Sequence, residues 1–451
     1  MNAFAAGSTP SLTEEEVFEL GIEAWIYLLP LVLMELTRRV MTNVTSADSL
    51  QMRAPAGEFA HASVYPDASF KDVVRPNADT LYSMLWFDVG TEPLILSLPE
   101  TPRYHVLPLM DMWTDVFAAL GTCSTGGSGG DCAIVGSRWR GTLPTGVRAV
   151  TSPTDAGWLL GRIQTNGPSD FDEVRGIQAR MRATSLSSWQ QSARPARTRI
   201  DPAIDMATPP VAQAMAMTAE DFFGLAAALM KRHVPHATDW TMVARLERLG
   251  LYVGADYVLS EAPSAVRRAL GRAIPAAKQR MSDRGMARRQ HRDGWVLPSV
   301  LGVYGNEYLS RAFTAFRGLG ALPESEALYP TALSDGEGRA LDGKHRYKLH
   351  FGRDALPPVR AFWSLTMYGA DHFFVANPIN RFAVGDRDAL SFNVDDSLDL
   401  FIQHEEPADP KERANWLPAP TGSFSMNLRL YRPRAEALDG RWNAPPIERL
   451  S

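Results

Sequence analysis

The stretch VVRPNADTLYSMLWFDV, Val73–Val89, decides the fold class. Its second half, TLYSMLWFDV, is a short run of apolar and aromatic residues of the kind that forms buried strands. Its first half sets Arg75, Asn77 and Asp79 at alternate positions, followed by Thr80 and Tyr82. In an extended chain alternate side chains share a face. Three polar groups on one face, leading into an apolar strand, form either a chemical site or the hydrogen-bonded hardware of a turn.

Working outward, similar β-type runs recur from about residue 54 to 167: LILSLP, RYHVLPL, CAIVG and VRAVTSP, parted by Gly, Pro and Asp. Such spacing predicts an antiparallel sandwich or barrel. Upstream, SLTEEEVFELGIEAWIYLLPLVLMELTRRV carries capping-box spacing at Ser11/Glu14 and at Thr13/Glu16. It predicts a buried helix kinked at Pro30, with an apolar core (Ala24 to Leu36) too short to span a bilayer. Downstream, TAEDFFGLAAALMKRH and SAVRRALGRAIPAAKQRMSDRGMARRQHRD are helical in pattern, with Thr218 and Asp221 as a capping pair. The β texture returns from Tyr329 to the end.

The expected organisation is therefore an N-terminal helical segment (1–53), a first sandwich (54–167), a helical region (168–325) and a second sandwich (326–451). The fold class is α+β: mainly β with substantial helix, in two antiparallel β-sandwich domains. An internal echo supports duplication. LYSMLWFDV…LPETPRYHVLPLM can be laid on HRYKLHFG…LPPVRAFWSLTMY. This pairs Tyr82 with Tyr347, Leu98-Pro99 with Leu356-Pro357, and Tyr104-His105 with Phe362-Trp363.

The chain has 451 residues, too many for one ordinary core, with 45% hydrophobic and 22% charged residues. A net charge of −5 gives no pull toward nucleic acid or an anionic membrane. The opening MNAFAAGSTPSLTEEE lacks a basic n-region and an apolar h-region, so no secretory signal is expected and the cytoplasm is the default compartment. The 2 cysteines, Cys123 and Cys132, read as free thiols or an occasional loop disulfide.

VVRPNADTLYSMLWFDV, RYHVLPLMDMWTDVFAALGT and SPTDAGWLLGRIQTNGPSD resemble the bacterial family known as domain of unknown function 1254. AFWSLTMYGADHFFVANPINRFAVGDRD through ANWLPAPTGSFSMNLRLYRPRAEALDGRW resembles its usual partner, domain of unknown function 1214. The resemblance implies two antiparallel sandwiches with a helical N-terminus and a helical middle. The chain departs from the family pattern twice. It has YLLP (Tyr27 to Pro30) where the family usually has Tyr-x-Tyr-Pro, and Tyr368-Gly369 where Tyr-Asp is usual.

Arg75 offers a planar fork of donors, Asn77 donates and accepts, and Asp79 accepts when ionised. They could orient an anion or sugar; alternatively Arg75 pairs with Asp79 while Asn77 caps a turn. Pro76 is expected to hold Arg75 extended in either case. Asp111, Trp113 and Asp115 alternate after an apolar strand, and Asp79 and Asp111 are expected to converge from neighbouring strands as an acid/base pair. Trp113 would wall a substrate. Tyr304 and Tyr308, one helical turn apart, are candidate hydroxyl donors into the same cleft. Asn377, Asn380, Arg381 and Trp416 are loop residues that could line it, with loop hardware as the bland alternative, together with Asn415.

The 9 histidines are scattered, and Pro235 spoils His233 and His236 as a helical metal pair. No P-loop, dinucleotide fingerprint or Gly-x-Ser-x-Gly elbow occurs, so no cofactor is expected; aspartates and asparagines could hold Mg²⁺ or Ca²⁺, but nothing in the spacing demands a metal and none is assigned. The arginine-rich span Arg267 to Arg292 lacks the aromatic residues of a single-strand binder and is expected to be a solvated helix face. The expected function is cofactor-independent acid/base chemistry, of hydrolase, lyase or isomerase type, on a polar or anionic small molecule. Asp79 and Asp111 would be catalytic; Arg75, Asn77, Thr80, Tyr82 and Trp113 would bind. The alternatives are a non-catalytic ligand- or saccharide-binding protein and a structural homo-oligomer.

Overall fold

The computed structural model describes residues 12–70, 75–189, 199–287, 290–297 and 300–450. It is 29% helix and 27% strand, an α+β fold of two sheet-rich domains with no closed barrel. Helix α1 (Glu14–Thr42) starts on a capping box, Thr13 Oγ1 accepting from Glu16 N at 3.2 Å and Glu16 returning to Thr13 N at 2.8 Å. It continues through Pro30. By length and composition it could cross a bilayer, but 83% of its most apolar window is buried within the protein.

The first sandwich has a large sheet of β1 (Ala60–His61), β2 (Thr80–Asp88), β4 (His105–Asp111), β5 (Val116–Gly121) and β8 (Ala156–Gln164). Its spatial order is β1-β2-β8-β4-β5. The facing sheet is β7-β6-β3-β9, from β3 (Leu94–Leu98), β6 (Gly130–Gly136), β7 (Arg148–Ser152) and β9 (Arg182–Ser185). Leu81, Leu85, Leu96, Leu109 and Ile134 fill the space between them, and α2 (Phe171–Gln178) closes it with Val174 and Ile177. Each such side chain contributes about 1.5–3 kcal/mol on burial. This sandwich runs past residue 167, because β9 completes its smaller sheet.

The helical region supplies α3 (Pro210–Ala216), α4 (Ala219–Met230), α5 (Trp240–Glu247), α6 (Ser264–Ala287) and α7 (Tyr308–Gly318). These surround α1 in one apolar core that also takes Met84, Trp86 and Trp158 from the outer face of the large sheet. Helices α1 and α6 approach closely at Gly21, where a Cβ would lie 2.6 Å from Leu270 Cδ2. The arginine-rich face of α6 is not simply solvated: Arg268 and Arg280 reach Glu14 and Glu19 of α1, each at 2.8 Å.

The second sandwich has a seven-stranded sheet: β10 (Gln290–Arg292), β11 (Trp295–Leu297), β12 (Ala327–Leu328), β13 (Thr331–Ala332), β15 (Val359–Gly369), β16 (Ala383–Gly385) and β19 (Phe424–Pro433). Their order is β10-β11-β13-β19-β15-β16, with β12 also on β19. The opposing sheet is β18-β17-β14-β20, from β14 (Arg346–Phe351), β17 (Leu398–Gln403), β18 (Trp416–Pro418) and β20 (Ile447–Leu450). The β10–β11 hairpin extends this domain upstream of residue 326.

Eight consecutive strands of the first sandwich, β2 to β9, match eight of the second, β13 to β20. Their smaller sheets share one order, each with a parallel edge pair, β6–β7 and β17–β18. In the large sheets β2-β8-β4-β5 matches β13-β19-β15-β16. The echo thus holds where it lays Tyr104-His105 on Phe362-Trp363, since β4 matches β15. It fails for Tyr82 and Tyr347, because β14 belongs to the small sheet and matches β3. Cys123 and Cys132 are both free thiols.

Candidate functional site

Strand alternation builds the site. In β19, Met426, Leu428 and Leu430 enter the second core, so Asn427, Arg429 and Tyr431 face the other way. In β15, Trp363, Leu365 and Met367 point inward and Phe362, Ser364 and Tyr368 outward. Tyr82 of β2 and Arg162 of β8, a cross-strand pair, face out from the first sandwich. The outer faces of the two large sheets therefore meet. Phe362 stacks on Tyr431 at 4.2 Å and meets Tyr104 at 5.7 Å.

The segment Arg75–Thr80 is threaded into this layer. Asn77 Oδ1 accepts from Asp79 N at 2.6 Å and Thr80 N at 3.1 Å, while its amide donates to Tyr431 Oη at 2.7 Å. It thus caps a turn and bridges the domains together. Asp79 is fully buried. Its carboxylate pairs with Arg387 and accepts from Ser364 Oγ at 2.7 Å, so both oxygens are engaged. Arg387 also donates to Asp79 O at 3.1 Å and Thr165 O at 2.7 Å.

Arg75 reaches Asn427 and, at 3.2 Å, His372 Nδ1. The expected extended geometry at Arg75 is overturned: its φ is 55°. This costly left-handed backbone is held by its N–H to His372 O at 2.8 Å and its C=O to Arg429 at 3.1 Å. Arg429 also donates to Pro76 O and, at 2.6 Å, to Tyr368 Oη.

Two guanidiniums in this layer are buried to 6% exposure, Arg162 and Arg429. Arg162 Nε donates to Tyr82 Oη at 3.2 Å and Nη2 to Gly320 O at 3.0 Å. Arg162 Nη1, Arg429 Nε and the buried Thr80 hydroxyl have no hydrogen-bond partner among the described residues. Burial alone would raise the Tyr82 phenol, but Arg162 and Arg429 outweigh it and hold its pKa below the ordinary value. Tyr329, Tyr368 and Tyr431 go the other way, raised chiefly by burial. Burial also pushes Asp386 up to about 6.

Residues 56–185 match the family described as "Protein of unknown function (DUF1254)" and residues 326–435 match "Protein of unknown function (DUF1214)". The chain pairs a DUF1254 domain with a DUF1214 domain. Across 96% of this chain and 100% of the other, the fold is similar to the VPA0106 protein from Vibrio parahaemolyticus, at TM-score 0.72 and 22% identity. An uncharacterized protein from Burkholderia cenocepacia aligns at TM-score 0.45 and 11% identity, over 97% of this chain and 93% of that one. No curated protein matches. The polar layer joins the two domains: the DUF1254 domain brings Arg75, Asn77, Asp79, Tyr82 and Arg162, and the DUF1214 domain brings Ser364, Tyr368, Asn427, Arg429 and Tyr431, with Arg387. At Gly369 a Cβ would lie 2.9 Å from Val375 and 3.1 Å from Asp371.

The expected convergence of Asp79 and Asp111 fails. Strand β8 lies between β2 and β4, and along it Thr80 faces Gln164 while Asp111 faces Gly157. Those two positions on β8 are roughly 23 Å apart at strand rise. Asp111 belongs to a second cluster, where the β4–β5 turn meets α1 and the helical region. Its Oδ1 accepts from Trp113 N at 2.9 Å and Asp115 N at 3.1 Å, and Oδ2 meets His236 Nε2 at 2.6 Å. Asp115 and Asp239 each lie 3.8 Å from His236 Nδ1. Arg311 sits 3.6 Å from Asp115 and 3.7 Å from Asp239.

Tyr27 and Tyr308 both donate to Asp239 at 3.1 Å, and Tyr304 N donates to Asp115 at 3.1 Å. Of the two tyrosines expected on one helix face, only Tyr308 brings its hydroxyl here; Tyr304 precedes the helix, contributes its backbone N–H, and its hydroxyl interacts with Gly302 and Thr314. Tyr308 also lines a surface cleft of about 540 Å³ with Arg245 and Asn306. Trp113 is no substrate wall: it is fully buried, packed on Tyr27 at 4.9 Å. Asn377 bonds Arg381 N at 3.0 Å, Asn380 takes a φ of 50°, and Arg381 donates to Ala414 O and Trp416 O. Trp416 is buried and donates to Gln403 O at 2.8 Å, while Asn415 donates to Ser391 O and Asp399 O. These loop residues hold their own loops in shape.

Burial lowers His236, but the Asp111 carboxylate outweighs it and raises the imidazole above its ordinary 6.5. Burial, with Asp111 adding, raises Asp115 above 3.8. A group with a raised folded pKa stabilises fully below its unfolded value and loses that contribution as pH rises through the folded value. Both groups therefore favour acid. Stability is expected to fall as pH climbs above 6.5, and His236→Gln is expected to flatten that decline. Urea midpoints from about pH 6 to about pH 9 check it.

Arg162, Arg387, Arg429 and Tyr431, and His236, Asp239, Arg311 and Tyr27, were not legible as site residues. One signal was present. Asn427, Arg429 and Tyr431 alternate in MNLRLYR as Arg75, Asn77 and Asp79 do in VRPNAD. Among the described residues, no group of three or more His, Cys, Asp or Glu is arranged to hold a metal ion.

Proposed function

We propose that the layer between the two large sheets binds an anionic small molecule, and that Tyr82 exchanges a proton with it in cofactor-independent acid/base chemistry of hydrolase, lyase or isomerase type. The carrying observation is the pair Arg162 and Arg429, deeply buried, each with an unbonded N–H, beside the acidified Tyr82. A buried guanidinium without a counterion is costly, so such groups mark places where an anion is expected. The two guanidiniums stabilise the Tyr82 phenolate, which favours proton release from its hydroxyl to a bound molecule. Asp79, with both oxygens engaged, acts as a positioning residue.

A non-catalytic binding role is the second reading. It is favoured by the separation of Asp79 from Asp111, which removes the paired-carboxylate chemistry. The two free thiols suit a reducing compartment, so we place the protein in the cytoplasm.

Thermal melting tests the anion site. At constant ionic strength, a saturating anion from a panel of inorganic phosphate, sulfate and short carboxylates should raise the wild-type midpoint by about 5 °C over chloride. Arg162→Gln and Arg429→Gln should lose that response. A wild type indifferent to every anion would sink the proposal. Once a substrate is in hand, Tyr82→Phe separates the two roles, since turnover should stop while affinity stays.

A further inference from the structure

Both sandwiches contribute the same pair of residues to this layer. With Tyr104-His105 on Phe362-Trp363, Val106 falls on Ser364. The cross-strand partner of Val106 in β8 is Arg162, and that of Ser364 in β19 is Arg429. The two arginines are thus equivalent positions of the duplicated domains.

Their tyrosine neighbours match as well. Tyr82 pairs across the strands with Arg162. Tyr329 lies between the pairs Leu328–Leu430 and Thr331–Asn427, which sets it across from Arg429. Arg162 stacks on Tyr82 at 5.3 Å and Arg429 on Tyr329 at 5.4 Å. Both guanidiniums act on Tyr82 and on Tyr329, so the two halves share one site.

Charge completes the argument. Asp79 is paired with Arg387, and among the described residues no carboxylate lies within 4.0 Å of Arg162 or Arg429. Asp79 acts on Arg429 from beyond that distance, so two buried positive charges have no carboxylate in direct contact, and buried charges persist when paired. We propose, resting on the anion site above, that its ligand is a small dianion lying between these two equivalent positions, with Arg162 and Arg429 each taking one share of the charge. A short dicarboxylate and a phosphate group share this chemistry.

The dianion and the Tyr82 phenolate compete for the same two guanidiniums, which gives a readout independent of activity. Tyrosinate absorbance of the wild-type chain is followed against pH in chloride, acetate, malonate and inorganic phosphate at equal ionic strength. An early step absent from Tyr82→Phe identifies Tyr82. Malonate or phosphate should move that step upward by about one pH unit or more, with acetate far weaker. The larger of the two shifts tells a dicarboxylate from a phosphate. Acetate matching malonate would overturn the dianion while leaving an anion site. No movement with any anion would overturn both. The comparison is made on the wild type, so it does not depend on any arginine variant folding.

Discussion

Asp79→Ala is expected to cost about 3–5 kcal/mol of stability, the usual loss when one partner of a buried ion pair is removed. Asp79 is fully buried and the Arg387 side chain is 16% exposed, so solvent screens the pair little. The substitution strands Arg387 over the Phe362 ring, 4.1 Å below it, and frees Ser364 Oγ. Because Asp79 is on the first sandwich and Arg387 and Ser364 on the second, the loss falls on the junction between domains. Asp79→Asn keeps an acceptor and should cost less. Urea midpoints of the two variants check this, and a loss under about 1 kcal/mol for the alanine would show the pair to be dispensable.

The second large effect is expected at Asp111→Ala, about 2–6 kcal/mol, from two turn amides left without an acceptor at about 1–3 kcal/mol each. The amides are those of Trp113 and Asp115. His236 changes as well. With the Asp111 carboxylate gone, burial becomes its largest influence, and its pKa should drop from above the ordinary value to below it. Proton NMR of the His236 ring reports that reversal. An unchanged titration would mean that Asp115 and Asp239 alone hold its proton.

Much of this architecture was written in the local pattern. TLYSMLWFDV, a near-continuous apolar run, is a strand buried on both faces, and the capping box of α1 lies where Thr13 and Glu16 imply. Arg75, Asn77, Asp79, Thr80 and Tyr82 all enter the layer between the sheets. What it could not convey was partnership. The cation on Asp79 is Arg387, some three hundred residues later, and nothing near Asp79 in sequence announces it.

The same limit explains Asp79 and Asp111. Placing β2 beside β4 is natural when they follow one another, but the late strand β8 inserts between them. Arg162 and Arg429 were hidden for a different reason. A single arginine on an apolar strand looks like any outward-facing residue, and its burial arises only when a second sheet covers it. The extended geometry expected of Arg75 gave way to tertiary bonds from His372 and Arg429.

The proposed anion site places a ligand between the two large sheets on Arg162 and Arg429, and a crystal structure grown with malonate would show it. Malonate density within hydrogen-bond reach of Arg162 Nη1 and Arg429 Nε, beside Tyr82, is the predicted result. Both guanidiniums satisfied by ordered water or by carboxylates of the chain itself, with malonate absent at saturating concentration, would contradict it.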